Sequence, residues 1–180
     1  MSEATTEPKK TDDSKPKVVL RVEDLQRTFK RGKFSVNALD GVSFEIHKGN
    51  FVSIMGKSGS GKSTLLNILG TLDTPTGGEV YIDGQAISKM NDAERTQLRR
   101  ERIGFVFQDY NLIPVLNAVE NVELPLFNAE MSKEKRHERA LEMLDIVGLR
   151  DRANHKPDEM SGGQSQRVSI ARALVANPAI

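Results

Sequence analysis

Eight residues about a third of the way along the chain, Gly56-Lys57-Ser58-Gly59-Ser60-Gly61-Lys62-Ser63, carry the clearest structural signal in the sequence. They match the pattern G-x-x-x-x-G-K-[ST] at every required position. Glycines let the backbone of such a loop turn its N–H groups toward a polyphosphate, and the helix that follows presents its positive end there. Lys62 can reach the β- and γ-phosphate oxygens, and Ser63 can offer its hydroxyl to Mg²⁺. The pattern therefore predicts a polyphosphate site.

The neighbours of this loop support that interpretation. The short apolar run Phe51–Met55 precedes it and predicts a buried strand, and a helical apolar pattern begins at Leu65. The alternative is a flexible Gly/Ser turn with an exposed Lys62. Lys57 is a second positive charge in the loop, and we expect it to be solvated.

Composition excludes several classes of protein. The chain has 180 residues, with 26 Lys and Arg against 25 Asp and Glu, and it has no Cys. A net charge of +1 argues against bulk electrostatic binding to nucleic acid, so no nucleic-acid partner is expected. Disulfides and thiolate metal sites are excluded. The sequence has no apolar run long enough to span a bilayer and no apolar signal segment at its polar N-terminus.

Strand and helix patterns alternate along the chain and predict an α/β fold with an antiparallel β section at the front. Residues 1–17 are charged and nearly free of apolar side chains, which predicts a disordered tail. Asp40-Gly41 is predicted to form a hairpin turn. Strands are predicted at Val18–Leu25, Ser35–Leu39, Val42–Ile46, Glu79–Ile82 and Ile103–Phe107, with Ala179-Ile180 as the first step of another.

Helix caps divide the second half of the chain into helices. Asn91 with Glu94 predicts a capping box for a helix that ends near Glu101. Ser132 predicts the start of a helix that ends at Gly148. The last helix is predicted at about Gly163–Ala176, with Val168, Ala171, Leu174 and Val175 on one face.

A second glycine cluster, Ser161-Gly162-Gly163-Gln164, stands at the start of that last helix. A Ser followed by two Gly at a helix start can bind an anion. A simple helix cap after a loop is the alternative.

Together these motifs resemble the nucleotide-binding domain of ABC transporters. Gly56–Thr64 matches the Walker A loop of that family. Met160–Gln164 matches its LSGGQ signature, with Met160 in place of Leu and with Ser165 where Gln or Glu is usual. Gln108, which follows the predicted strand Ile103–Phe107, matches the Q-loop glutamine, and Phe29 lies where the family places an aromatic that stacks on adenine. The resemblance covers about Val18 to Ile180.

The resemblance implies a P-loop NTPase core with an antiparallel β subdomain and a helical subdomain, which binds ATP with Mg²⁺. Lys62 and Gln108 would serve catalysis, and Ser63 and Gln108 would contact the metal. Phe29 would stack on adenine; the alternative is that Phe29 is a core residue of a β layer. For Gln108, the alternative is a loop glutamine without a functional role. The signature of one copy would bind the γ-phosphate held by a second copy, which implies a head-to-tail homodimer. The nucleotide-binding residues would be Phe29, Gly56, Ser58, Gly59, Ser60, Gly61, Lys62, Ser63, Thr64, Ser161, Gly162, Gly163 and Gln164.

The segment Asn111–Phe127 resembles the subgroup that drives lipoprotein release and macrolide or peptide efflux. The resemblance thus implies an ABC-type ATPase that powers export through an integral membrane permease, peripheral to the cytoplasmic face of the inner membrane. One alternative is a fragment that binds ATP without hydrolysing it. Another is a soluble ABC ATPase that has no transport role.

The family pattern breaks after the signature helix. The Walker B Asp, the catalytic Glu, the D-loop and the switch His of the family have no match in these residues, and His47, His137 and His155 all precede Ser161. We therefore expect residues 18–180 to be an incomplete ABC domain from a longer gene product. By itself the 180-residue chain is expected not to hydrolyse ATP above background and to be poorly soluble.

Overall fold

The computed structural model describes residues 16–32 and 34–180, and its N-terminal part is an antiparallel sheet. The strands are β1 (Val18–Arg31), β2 (Phe34–His47), β3 (Gly77–Ile82) and β4 (Gln85–Ala86), in the order β2-β1-β3-β4. Strands β1 and β2 form a long hairpin, and β3 pairs with the other edge of β1. Most of the predicted tail, residues 1–17, lies outside the described residues.

The predicted turn at Asp40-Gly41 is wrong, because both residues lie inside β2. Leu25 pairs with Val42 and Gln26 pairs with Asp40, so Gly41 is an extra residue in a β-bulge, where its φ is +78°. A bulge needs the same left-handed backbone that a tight turn needs. The Asp-Gly pair therefore predicts the left-handed backbone of Gly41 correctly. In the structure this backbone bends β2 and does not reverse the direction of the chain.

Two predicted strands, Phe51–Met55 and Ile103–Phe107, are not strands among the described residues. Phe51 is 98% exposed and Met55 is 88% exposed, so the first segment is not buried either. A strand exists only through a hydrogen-bonded neighbour, and the sheet above pairs with neither segment. The second segment has one such contact: Gly104 N–H donates to the Ile180 carbonyl (2.8 Å) and Ile180 N–H donates to the Arg102 carbonyl (3.1 Å), in the pattern of a parallel bridge.

The core of the sheet fixes the first helix, α1 (Lys62–Leu69), in place. Leu65 and Ile68 are its buried side chains, and they join one apolar cluster with the inward-facing residues of the strands. Those strand residues are Leu20, Val22, Leu25, Leu39, Val80 and Ile82. Truncating a buried side chain such as Ile68 costs about 2–5 kcal/mol in proteins, so this packing holds α1 firmly against the sheet.

The other helices are α2 (Asp92–Arg102), α3 (Ala118–Glu123), α4 (Lys133–Ile146) and α5 (Gly162–Leu174). Helices α3, α4 and α5 pack around a second apolar cluster that includes Val122, Leu144 and Val168. Short 3₁₀ turns lie at Ile87–Lys89, Leu124–Leu126, Arg150–Arg152 and Pro157–Glu159. Among the helices that the structure describes, none is both long and apolar enough to cross a membrane.

The predicted helix ends agree well with the structure. Asn91 and Glu94 form the capping box of α2, and Ser132 accepts a hydrogen bond at the start of α4. Gly148 has a φ of +67°, just beyond the end of α4.

On α5 the predicted buried face is right for Val168, Ala171 and Val175. It is wrong for Leu174, which is 48% exposed. Successive residues of an α-helix are separated by about 100° around its axis, so Leu174 lies on the flank of the helix and not on the buried face of its neighbour Val175.

Candidate nucleotide-binding site

The glycine loop at residues 56–61 lies against β2. Gly59 and Gly61 both have positive φ angles, +79° and +87°, which favour glycine. A side chain at Gly61 would overlap the carbonyl oxygen of Ala38, whereas one at Gly59 would meet nothing within 4 Å. Gly61 is therefore required for the close approach of the loop to the sheet as well as for its own backbone conformation.

Lys62 points back into this loop. Its Nζ donates to the carbonyl oxygens of Gly56 (2.9 Å) and Lys57 (2.7 Å) and lies 3.4 Å from the hydroxyl of Ser60. Lys62 is half-buried and its ammonium is held by the loop, in contrast to the freely solvated lysine that the flexible-turn alternative predicts. This geometry places a fixed positive charge where the loop backbone curves, which suits a polyphosphate.

The start of α1 adds two further features. Ser63 is exposed on its first turn, and the first turn carries no acidic side chain that would oppose an anion. The Lys57 side chain is exposed, as predicted.

Gly61→Ala is expected to destabilise the protein by about 1–3 kcal/mol, because an L residue at this φ is strained and its Cβ also meets Ala38. Gly59→Ala is the matched control: it has the same backbone strain but open space for the Cβ. Chemical denaturation measures both. Equal loss of stability in the two variants would show that contact with Ala38 is unimportant.

The signature cluster forms the start of α5. Ser161 is the N-cap: its hydroxyl accepts from Gln164 N–H (3.4 Å), and Gln164 Oε1 accepts from Ser161 N–H (2.8 Å). Gly162 and Gly163 are exposed at this helix end. The structure therefore contains the helix cap of the simpler interpretation, with two exposed glycines beside it.

Gln108 is exposed in the turn after segment 103–107. The next residues bring this turn to α5. Arg172 donates to the carbonyl oxygens of Tyr110 (2.7 Å) and Asn111 (2.6 Å). A Cβ at Gly162 would lie 3.6 Å from the Tyr110 hydroxyl. The glutamine loop and the signature helix are thus joined directly, a connection that sequence analysis did not predict.

Phe29 lies on β1 opposite Val36, and its side chain is 44% exposed. It is not the core residue of the alternative interpretation. The Arg27 guanidinium stacks over the ring, 4.6 Å from its centroid, and donates to Asp73 (2.8 Å) in the loop after α1. Arg27 and Asp73 were also missed from the sequence, because their pairing spans 46 residues.

Two exposed side chains, those of Ser63 and Gln108, are the ones predicted to bind Mg²⁺. Mg²⁺ takes oxygen ligands and is commonly bound through a few protein oxygens together with substrate phosphates. The Ser63 hydroxyl and the Gln108 amide oxygen are of that kind, and both are exposed. Within residues 16–32 and 34–180, no group of three or more His, Asp or Glu could hold a metal alone. The residues therefore fit an ion that enters with the nucleotide.

A glycine loop that encloses a lysine ammonium and leads into a helix packed on a sheet defines a phosphate-loop nucleotide-binding domain. A sequence profile described as "ABC transporter" matches residues 39–180. The chain belongs to the ABC transporter family, as an ATP-binding subunit, and the α/β fold predicted from the resemblance is confirmed.

Individual proteins of known sequence also support membership of this family. The chain is 54% identical over 166 residues to the ABC transporter ATP-binding protein MJ0796 of Methanocaldococcus jannaschii, which covers 90% of this chain and 71% of that protein. It is 48% identical over 162 residues to the lipoprotein-releasing system ATP-binding protein LolD of Bacteroides thetaiotaomicron, covering 90% and 72%. It is 52% identical over 157 residues to the macrolide export ATP-binding/permease protein MacB of Brucella melitensis, covering 87% and 24%.

A solved structure of MJ0796, a dimer in a post-hydrolysis state bound to ADP and Pi, resembles the fold with a TM-score of 0.82. The two chains are 54% identical, and the match covers 88% of this chain and 70% of that one.

Proposed function

We propose that the protein couples ATP binding and hydrolysis to export through an integral membrane permease. The observation that carries ATP binding is the Lys62 ammonium held inside the glycine loop by two backbone carbonyls, and family membership supports the coupling to export. Bound phosphates would exchange these neutral acceptors for charged ones, which form stronger hydrogen bonds with an ammonium. The loop residues Gly56 to Thr64 would supply backbone and hydroxyl donors around the phosphates.

The remaining groups would orient the reacting phosphate. Mg²⁺ neutralises phosphate charge when bound. Ser63 and Gln108 would hold the ion, and Gln108 would also contact the attacking water. Catalysis by the family needs an Asp, a Glu and a His that have no match in these residues, so turnover by the 180-residue chain alone remains expected to be at background.

The Phe29 ring would form the adenine platform. Its exposed surface and the Arg27 side chain that packs on it support this role, because a flat ring fixed on one side can stack a base on the other.

Phe29→Ala is expected to weaken ATP binding about tenfold or more, since stacking on an aromatic contributes about 1–3 kcal/mol per base. Phe29→Tyr keeps the ring and is expected to change ATP affinity little. Titration with ATP and with inorganic triphosphate separates base from phosphate binding. A loss of affinity for triphosphate as large as that for ATP would exclude the adenine role.

A second copy would complete the site. Ser161, Gly162, Gly163 and Gln164 stand exposed or half-exposed at the start of α5 and would bind the γ-phosphate held by the partner. The dimeric state of MJ0796 supports a homodimer, for which we propose the head-to-tail arrangement.

The segment Asn111–Phe127 would contact the permease. Val115 is 75% exposed and Phe127 is 53% exposed, so apolar surface is available there. The relatives LolD, of a lipoprotein-releasing system, and MacB, a macrolide export protein, support a lipoprotein or a macrolide as the exported substrate. The protein would then act as a peripheral subunit on the cytoplasmic face of the inner membrane.

Val115→Asp should reduce co-purification with the permease, because it places a charge on the exposed apolar surface of this segment. The ATP affinity should stay unchanged. Full retention of the permease by the variant would contradict this contact.

A further inference from the structure

The turn after Gln108 contains two consecutive residues with left-handed backbone, Tyr110 (φ +60°) and Asn111 (φ +47°). Residues other than glycine rarely adopt this conformation, and a bulky residue such as Tyr is especially disfavoured there. Such a pair persists only where surrounding groups hold it.

Arg172 on α5 supplies the holding contact. One guanidinium nitrogen, Nη1, donates to the Asn111 carbonyl (2.6 Å) and the other, Nη2, donates to the Tyr110 carbonyl (2.7 Å). The planar fork of arginine suits two adjacent acceptors, which a lysine ammonium cannot match in the same way. The guanidinium is half-buried, and burial lowers the pKa of Arg172. A cation in that position needs these hydrogen bonds to offset its desolvation.

The chain on either side of the turn is fixed as well. Downstream, the fully buried Asn121 accepts from Ile113 N–H (2.8 Å) and donates to the carbonyls of Ile113 (3.2 Å) and Leu116 (3.1 Å). Upstream, Tyr110 N–H donates to the Phe107 carbonyl (3.2 Å) and closes the turn that contains Gln108.

We propose that Arg172 is a positioning residue, which locks the Tyr110-Asn111 turn to the signature helix so that Gln108 and the Ser161–Gln164 helix start move as one body. The inference rests on the proposed function in one respect: Gln108 is taken to contact the Mg²⁺ that accompanies ATP. Arg172 itself would touch neither nucleotide nor metal. It would act through the backbone that carries Gln108.

Hydrogen exchange without nucleotide tests the lock. In Arg172→Gln, exchange of the Tyr110 and Asn111 amides should rise about tenfold or more, the effect of losing charge-assisted hydrogen bonds. Interior amides of α5 should change much less, and Arg172→Lys should be intermediate. Arg167→Gln, at an exposed position of the same helix, is the matched control and should leave the turn unchanged. Unaltered exchange at 110 and 111, or an equal rise throughout α5, would overturn the proposal.

A double-mutant cycle tests whether Arg172 acts through Gln108. The measured quantity is the gain in ATP affinity that Mg²⁺ produces. Arg172→Gln and Gln108→Ala should each reduce that gain by a similar factor, and the double variant should lose no more than either single variant. Additive losses would overturn the coupling. If the unchanged protein binds no ATP, the proposed function fails, while the exchange experiment still decides whether Arg172 locks the turn.

Discussion

Ser161→Arg is expected to abolish ATP-driven pairing of two copies of the protein. Ser161 caps α5 beside two exposed glycines, so a long cationic side chain there would fill the space that the partner's nucleotide must enter. Light scattering at high protein concentration with ATP and Mg²⁺, which the 180-residue chain is not expected to hydrolyse, should show a dimer for the unchanged protein and a monomer for the variant. ADP should leave both monomeric.

Ser132→Arg is the matched control for this experiment. Ser132 is the N-cap of α4, and loss of a cap costs about 1 kcal/mol wherever it occurs. The control should therefore lose similar stability and still dimerise with ATP. A monomer in every nucleotide condition for the unchanged protein would contradict the homodimer.

Lys62→Ala is expected to weaken ATP binding about a hundredfold, because an ammonium that bonds phosphate oxygens contributes about 3 kcal/mol. The fold should survive, since among the residues that the structure describes the Lys62 side chain bonds the loop itself, and Leu65 and Ile68 keep α1 on the sheet. Lys57→Ala removes a like charge from the same loop, but from an exposed side chain, and should change affinity only slightly. A loss as large in the control would mean that net charge, and not the enclosed ammonium, governs binding.

The features predicted correctly from the sequence are those set by near neighbours in the chain. The helix start that follows the glycine loop, the capping box of α2 and the left-handed Gly148 each depend on residues within a few positions. Local backbone sterics and side-chain capping are enough to specify them. The family resemblance then connected these local pieces into an ABC-type domain.

The errors concern pairing between distant residues. Asp40-Gly41 forms a bulge because β2 continues along β1, and that register depends on pairing with Leu25 and Gln26, well before it in the sequence. Phe51–Met55 has the composition of a strand but no hydrogen-bonded neighbour among the described residues. Apolar composition predicts burial only when a partner surface is present.

The missed site contacts have the same origin. Arg172 reaches carbonyls 61 and 62 residues earlier in the chain, and Arg27 reaches Asp73. An arginine one turn after Val168, on the buried side of α5, was the available signal, since a cation there needs a partner. The sequence alone could not identify which carbonyls provide it.

Calorimetric titration of ATP with Mg²⁺ into the unchanged protein and into Lys62→Ala tests most directly whether the glycine loop is the nucleotide site. We predict saturable binding of one ATP per chain to the unchanged protein and an affinity about a hundredfold lower for the variant, with its fold intact by circular dichroism. Equal ATP affinity in the two proteins would contradict the assignment of the loop, and with it the role proposed for Lys62.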